Sequence, residues 1–484
     1  MSVPVSPYLD FLRRQLASVT PDLEGKTKIV AEYSQRVATA LWVGETRLPE
    51  LEAAARREYE ALMPRMNDCL VGMDGAPMLA AELALHLTSR PDFEAAQRGI
   101  QHVVQLLAES GHPDAQEVLC RIAEIAHAHQ ASHLHAVKDA YIKESGSASS
   151  ASSLPQDARS RLQARLRERF PSEEQLVVAE TQMVVGGGSK GTYFVDLRNT
   201  AELPERVVVR HDHPTGVTAT SVADEYALLE LVHSAGMPTP APYVFDADVS
   251  VLGAPFVVVG ALPGHNIGDW NEVWEPSHEF AVGIAHTLAR LHALPTTTGV
   301  GARLPGADKT TPEHIGELIE SFEASWRSHG RPSIAMEQAF TWLYRHMDFA
   351  DGRRAIIHGD VGCHNMLGED GKLTALLDWE TVSIGHPARE LTYTERTVRQ
   401  MMPWEEYLTE YEQAGGVLPT PEQMDFYRMY RAVFSIHYLF LARSHFYAGL
   451  TTLPIHAYAT QHMYLEAEAD VHENVKTLYE RYGL

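Results

Sequence analysis

The sequence predicts an α+β protein in which an all-α N-terminal domain precedes a mixed domain of strands and helices. Three observations carry this reading. Apolar residues recur at helical spacing up to residue 144, the tract Ser145–Ser153 is of low complexity, and β-rich runs broken by Gly, Asn and Pro follow it. The chain has 484 residues, 45% hydrophobic and 21% charged, which is ordinary for a globular protein of about two or three domains.

In chain order, Tyr8, Leu9, Leu12 and Leu16 share one helical face, as do Ile29, Val30, Tyr33, Val37 and Leu41. The pattern continues over 93–109 and 114–144, with Pro113 as a start signal, so the helical domain is expected over 1–144. His127, His129, His133 and His135 crowd its last helix, and His129 and His133 stand one turn apart. A zinc site needs at least three protein ligands, and no further ligand motif accompanies them, so they read as a polar helix face. Residues 145–159 are expected as a Ser-rich linker, and cutting there is expected to release a folded, nucleotide-binding 154–484.

Beyond it, Leu176–Thr181, Tyr193–Leu197, Arg206–Arg210 and Pro255–Val259 read as strands, and Ser221–Ala235 and Glu279–Leu294 as helices. Between the first two strands lies Val185-Gly-Gly-Gly-Ser-Lys-Gly191, where backbone amides of Gly187 and Gly188 can approach a phosphate without a Cβ in the way, and Ser189 is the side chain expected to touch it. Further on, Met366-Leu367 and Leu373–Leu377 form a hairpin around Glu369–Lys372, which brings Asn365 and Asp378 together, with Asp360 on the entering loop. A carboxylate beside an Asn/Asp pair is what phosphoryl transfer requires. Hard oxygens hold Mg²⁺, and the separate carboxylate orients the incoming hydroxyl.

The net charge is −24, from 64 acidic and 40 basic side chains. Nucleic acid and anionic membrane are thereby disfavoured as partners, since both are bound by clustered Lys and Arg. No apolar run reaches the ~20 residues that span a bilayer, and Met1–Asp10 lacks a signal-peptide pattern. Cys69, Cys120 and Cys363 form an odd set without metal-like spacing, which fits a reducing compartment. A cytoplasmic protein is expected, of unspecified oligomeric state.

His358-Gly359-Asp360, then Asn365, then Leu377-Asp378-Trp379-Glu380 resembles the catalytic signature of the aminoglycoside phosphotransferase family. The segment Gly385-His386-Pro387 to Glu390-Leu391 resembles that family's Gly-Asp-Pro…Asp-Leu, with His386 and Glu390 where Asp is usual. The resemblance implies a two-lobed protein-kinase-like fold, with an N-lobe over 160–264 and a helical C-lobe over 265–484. It implies a small-molecule kinase using ATP (or GTP) and Mg²⁺. Asp360 would be the catalytic base, Asn365 and Asp378 the metal ligands, and Arg210 the phosphate grip paired with Glu225. Glu230 is a rival for that pairing, and Arg198 and His211 are rivals for the phosphate. Gly260, Ala261 and Leu262 would form the hinge that binds the base, and His292 and His358 would be structural. The helices from Thr311 onward and from Pro403 to the end would complete the C-lobe, and their aromatic stripe Phe426, Tyr427, Tyr430, Phe434, Tyr438 and Phe440 reads as core, with a lining of the acceptor pocket as the alternative for part of it. Gly-Gly-Gly-Ser-Lys-Gly-Thr-Tyr, Val-Val-Val-Arg and Leu-Leu-Asp-Trp-Glu-Thr look closest to the hydroxyacid and hydroxyacyl-CoA kinase branch. An amino-sugar kinase and a catalytically inactive nucleotide-binding protein are the alternatives.

Overall fold

The computed structural model describes residues 10, 14, 25–73, 76–88, 93–142, 154–183, 190–212, 221–268, 272–329, 333–447 and 454–482. They fall into two compact units. One comprises Ala151–Ile315 with Ala350–Tyr427, the other Met1–Ser150 with Gly316–Phe349 and Arg428–Leu484.

The first unit is built on a five-stranded antiparallel sheet of β1 (Val177–Met183), β2 (Lys190–Arg198), β3 (Arg206–Asp212), β4 (Pro242–Asp246) and β5 (Phe256–Gly260), in the order β1-β2-β3-β5-β4. Strand alternation sorts its two faces. Val207 and Val209 of β3 enter a core with Val195, Leu197, Phe256 and Val258, which turns Val208 and Arg210 to the opposite side. The helix Gln156–Arg169 joins that core through Leu162 and Leu166, and Arg165 pairs with the buried Asp246. Leu154 is already in the core and donates its N–H to Thr181 Oγ1 at 2.9 Å. Residues 156–159, expected as linker, are therefore the first turn of a helix, while 145–153 lie outside the described residues. Across the sheet's other face runs the helix Val222–Ser234. A capping box between Ser221 and Asp224 starts it by satisfying amides the helix leaves open.

The same unit continues with β6 (His265–Asn266), β7 (Ala355–Ile357), β8 (Met366–Glu369), β9 (Lys372–Leu376) and β10 (Ser383–Gly385). These make a three-stranded sheet, β6-β8-β9, and a two-stranded one, β10-β7. The expected hairpin is β8–β9. The helices His278–His292, Pro387–Val398 and Trp404–Gln413 surround it.

In the second unit, helix Ile334–Arg345 packs on Phe93–Glu109, and Pro454–Tyr482 on Ala115–Ile142. Gln338 Nε2 donates to the Leu119 carbonyl (3.0 Å), Gln116 Nε2 to the Tyr479 carbonyl (2.5 Å), and Tyr479 Oη to the Gln338 carbonyl (2.8 Å). These three bonds join segments distant in sequence and give the Gln338 amide nitrogen and the Tyr479 carbonyl and hydroxyl the partners that buried polar atoms require. The helices over 316–349 and 428–484 cluster with the N-terminal helices. The aromatic stripe is largely core, as expected, but it is shared. Phe426 and Tyr427 are fully buried in the sheet unit, whereas Tyr430 is buried in the helical one.

Among the histidines singled out, His127 meets the buried His472 edge-on, with ring centroids 6.5 Å apart. Burial pushes His129 down to about 4 and His472 down to about 3, so both rings are neutral in the fold. Among the described residues, no group of three or more His, Cys, Asp or Glu is placed to hold a metal ion, and no helix is long and apolar enough to cross a membrane.

Candidate active site

β7 delivers the chain into His358-Gly359-Asp360, and three buried side chains fix its path. Gly359 has φ +89°, and a Cβ there would lie 2.7 Å from the Thr381 carbonyl, so the loop demands glycine at this point. Glu390, fully buried on the helix Pro387–Val398, accepts from the His358 N–H (2.6 Å) and the Gly359 N–H (2.9 Å). Burial raises its carboxyl, but His292 nearby and the amide donors outweigh this and hold it below the usual range. His292 Nε2 lies 3.7 Å from Glu390, and its Nδ1 is hydrogen-bonded to Tyr411 Oη at 2.8 Å. His358 itself donates Nε2–H to the Leu377 carbonyl (2.9 Å) and accepts the Asp360 N–H on Nδ1 (3.3 Å), two bonds that order the loop. The two departures from the family pattern are structural. Glu390 is the anchor just described. His386 caps the same helix, Nδ1 accepting from the Ala388 N–H at 3.1 Å, while its ring stacks on Tyr427.

Asp360 leaves about a fifth of its side chain exposed. Its Oδ2 accepts from Asn365 Nδ2 (2.9 Å) and lies 3.3 Å from His364 Nε2, and its Oδ1 accepts the Tyr393 hydroxyl. Burial raises this carboxyl too, but His364 and Tyr393 outweigh it, so it stays ionised below the usual carboxylate range. The hairpin then closes as expected. Leu377 N–H donates to the Asn365 carbonyl at 2.8 Å, which sets Asp378 beside the loop. Asp378 sits in the left-handed region at φ +63°, a conformation that costs of order 1 kcal/mol or more for a non-glycine residue and that recurs at functional sites.

Arg210 completes the constellation. Strand alternation turns it from the valine core toward the helix Val222–Ser234. There its guanidinium pairs with the buried Glu225, while Nη2 reaches Asp378 Oδ1 at 3.1 Å. Burial works against its charge, but Glu225 and Asp378 outweigh that and keep it protonated. Among the rivals, Glu230 is exposed on the same helix, Arg198 ends β2 opposite Val177, and His211 binds the Asp212 carbonyl through Nδ1. Gly187, Gly188 and Ser189 lie outside the described residues. Just after them, Lys190 Nζ is tied to Asp212 at 2.7 Å. Gly260 ends β5, with its N–H donated to the Ala241 carbonyl (2.9 Å), and Ala261 N–H reaches the Arg206 carbonyl (3.4 Å).

Sequence reasoning missed Tyr393 and His364. One signal for each was present. Tyr393 follows Glu390 at i+3 on one helix face, and His364 directly precedes Asn365.

A strand cation paired with a helix carboxylate, a second carboxylate at the hairpin's far end and a loop Asp are the parts that kinase-like phosphotransferases bring together. Residues 181–427 match the model of the phosphotransferase enzyme family (APH). The chain belongs to that family. Acyl-CoA dehydrogenase family member 11 of Mus musculus is 28% identical over 262 residues, or 50% of this chain and 31% of that protein. Uncharacterized protein YcbJ of Bacillus subtilis is 25% identical over 149 residues, or 30% of this chain and 47% of that protein. The chain thus spans about a third of the first relative's length and about half of the second's. A solved structure from Ralstonia eutropha, provisionally described as an aminoglycoside phosphotransferase, shares the fold with a TM-score of 0.50 at 19% identity, covering 66% of this chain and 98% of its own.

Proposed function

We propose that the chain transfers the γ-phosphoryl group of ATP to a hydroxyl of a small carboxylic or acyl compound, with Asp360 as base. The observation that carries this reading is the ionised, partly exposed Asp360 beside the Arg210–Asp378 pair. The acceptor hydroxyl donates to Asp360 and loses its proton to that carboxylate as its oxygen bonds to the γ-phosphorus. The bond from that phosphorus to the β,γ-bridging oxygen breaks, and ADP leaves. Arg210, fixed as a cation, grips the phosphates through its planar fork. The residues present suit Mg²⁺. Asn365 commits its Nδ2 to Asp360 and so keeps its amide oxygen as a ligand atom, and Asp378 adds a carboxylate, giving the hard oxygens this ion takes. When bound, the ion would neutralise charge on the phosphate oxygens. Gly187, Gly188 and Ser189 cover the phosphates in this reading. Gly260, Ala261 and Leu262 border the base, and since the Gly260 and Ala261 N–H groups are already donated to the Ala241 and Arg206 carbonyls, recognition of the base falls to the remaining backbone groups.

An acyl acceptor is supported by the relative named for the acyl-CoA dehydrogenase family. Phosphorylation turns a hydroxyl into a leaving group, which prepares such a compound for elimination. The net charge of −24 favours the second reading, a polycationic amino sugar. A local site rather than net charge selects the substrate, which keeps the acyl reading first. Incubation with Mg-ATP and panels of hydroxyacyl-CoA, hydroxy acids and aminoglycosides, read by mass spectrometry for the gain of one phosphate, separates them. Product confined to the amino sugars overturns the acyl assignment.

A further inference from the structure

We infer that Tyr393 is a positioning residue for phosphoryl transfer, its hydroxyl aiming the Asp360 carboxylate at the acceptor. The inference rests on the role of Asp360 proposed above. Each carboxylate oxygen offers about two lone pairs. Oδ2 has both engaged among the described residues, by Asn365 Nδ2 at 2.9 Å and His364 Nε2 at 3.3 Å. Oδ1 receives Tyr393 alone among the described residues, so it is the oxygen with a lone pair open to an incoming hydroxyl. A carboxylate turns about its Cβ–Cγ bond through a broad torsional well. Donors on Oδ2 alone would leave Oδ1 free to swing, and the Tyr393 hydroxyl ties it down.

The placement of Tyr393 makes this contact a consequence of the fold. It follows Glu390 at i+3 on the helix Pro387–Val398, so one helix face reaches the catalytic loop twice. Glu390 holds the backbone amides of His358 and Gly359, and Tyr393, one turn on, holds the side chain of Asp360. The helix is itself fixed by the His386 cap and by burial of Leu391 and Thr394. Tyr393 therefore stands on a rigid element, the condition for holding a reacting group in line.

Phosphate release from Mg-ATP, with water as acceptor, provides the assay while the true acceptor is unidentified. Asp360→Asn is expected to lower kcat by ~10²–10⁴-fold. Tyr393→Phe is expected to lower kcat by about 10- to 100-fold, the effect of losing one hydrogen bond to a charged group, with the Mg-ATP Kd by calorimetry changed less than about twofold. In the Asp360→Asn background the same substitution is expected to change kcat less than about threefold, because it acts through Asp360. If Tyr393→Phe loses cooperative melting, 4-aminophenylalanine and 4-methylphenylalanine at 393 replace it. Both fill the space, and only the first, which keeps a donor, is expected to retain turnover.

Wild-type turnover in Tyr393→Phe overturns the inference, as does an equal loss in the Asp360→Asn background. Equal turnover for the two phenylalanine analogues does so too. If Asp360→Asn matches the wild type, or the wild type turns over no Mg-ATP, the underlying role of Asp360 fails first and the inference falls with it.

Discussion

Expression of residues 154–484 alone is expected to yield an aggregating or poorly packed protein, against the reading of the Ser-rich tract as a simple linker. The perturbation removes the helices within 25–142 on which Ile334–Arg345 and Pro454–Tyr482 pack. Met336, Trp342, Leu343, Val471, Val475 and Leu478 on those two helices are all within 1–2% of complete burial. Re-exposing a side chain of this size costs about 1.5–3 kcal/mol, so the six together represent about 9–18 kcal/mol if fully uncovered, and about half that if the helices close on each other. Gln338 and Tyr479 also lose buried partners on Ala115–Ile142, at about 1–3 kcal/mol each. The sum is comparable to the whole stability of a typical domain, about 5–15 kcal/mol. Size-exclusion chromatography and binding of an apolar dye would measure the outcome, with co-expression of residues 1–150 expected to restore a monodisperse complex. A monodisperse 154–484 with cooperative melting and the full chain's Mg-ATP affinity would instead show that these helices stay folded without the N-terminal ones.

Asp378→Ala is expected to abolish tight, Mg²⁺-dependent nucleotide binding and to release Arg210 from one partner, whereas Asn365→Ala, a neutral ligand, has a milder effect. Unchanged Mg-ATP affinity by calorimetry contradicts the metal assignment. Glu390→Gln keeps the shape but turns an amide toward two backbone donors, so chemical denaturation should show a loss of about 2–5 kcal/mol. A loss under about 1 kcal/mol removes Glu390 as the anchor of the loop. His129 and His472 titrate at about 4 and about 3 in the fold, against an ordinary value near 6.5. Because the folded values are depressed, their full stabilisation is present above pH ~6.5 and is lost as pH falls toward 4, by on the order of 3 kcal/mol per group. His472→Leu should flatten the acid limb of denaturant midpoint against pH, and an unchanged slope speaks against the buried neutral ring.

The loop that carries Asp360 and the hairpin after it were legible because their parts lie close in sequence. A hairpin between Asn365 and Asp378 has only one way to close, so their proximity follows from local turn chemistry, and the observed Leu377–Asn365 hydrogen bond is that closure. Arg210 and Glu225 could be paired by resemblance, and strand alternation then supplied the physical reason, since Val207 and Val209 facing the core oblige Arg210 to face the other way. The contact of Tyr393 with the Asp360 loop needed the tertiary structure, whereas His364 lies on the loop itself, four residues from Asp360. Nothing in a helix face that carries Glu390 and Tyr393 says which loop it meets, and only the fold brings that loop within hydrogen-bonding distance. The grouping of the helices was likewise beyond the sequence. An apolar stripe such as Met336, Trp342 and Leu343 states that a helix is covered but not what covers it, because the hydrophobic effect is non-directional. The partner was decided by buried polar groups with few places to go. Gln338 donates to Leu119, and Gln116 to Tyr479, across segments that only the folded chain brings together.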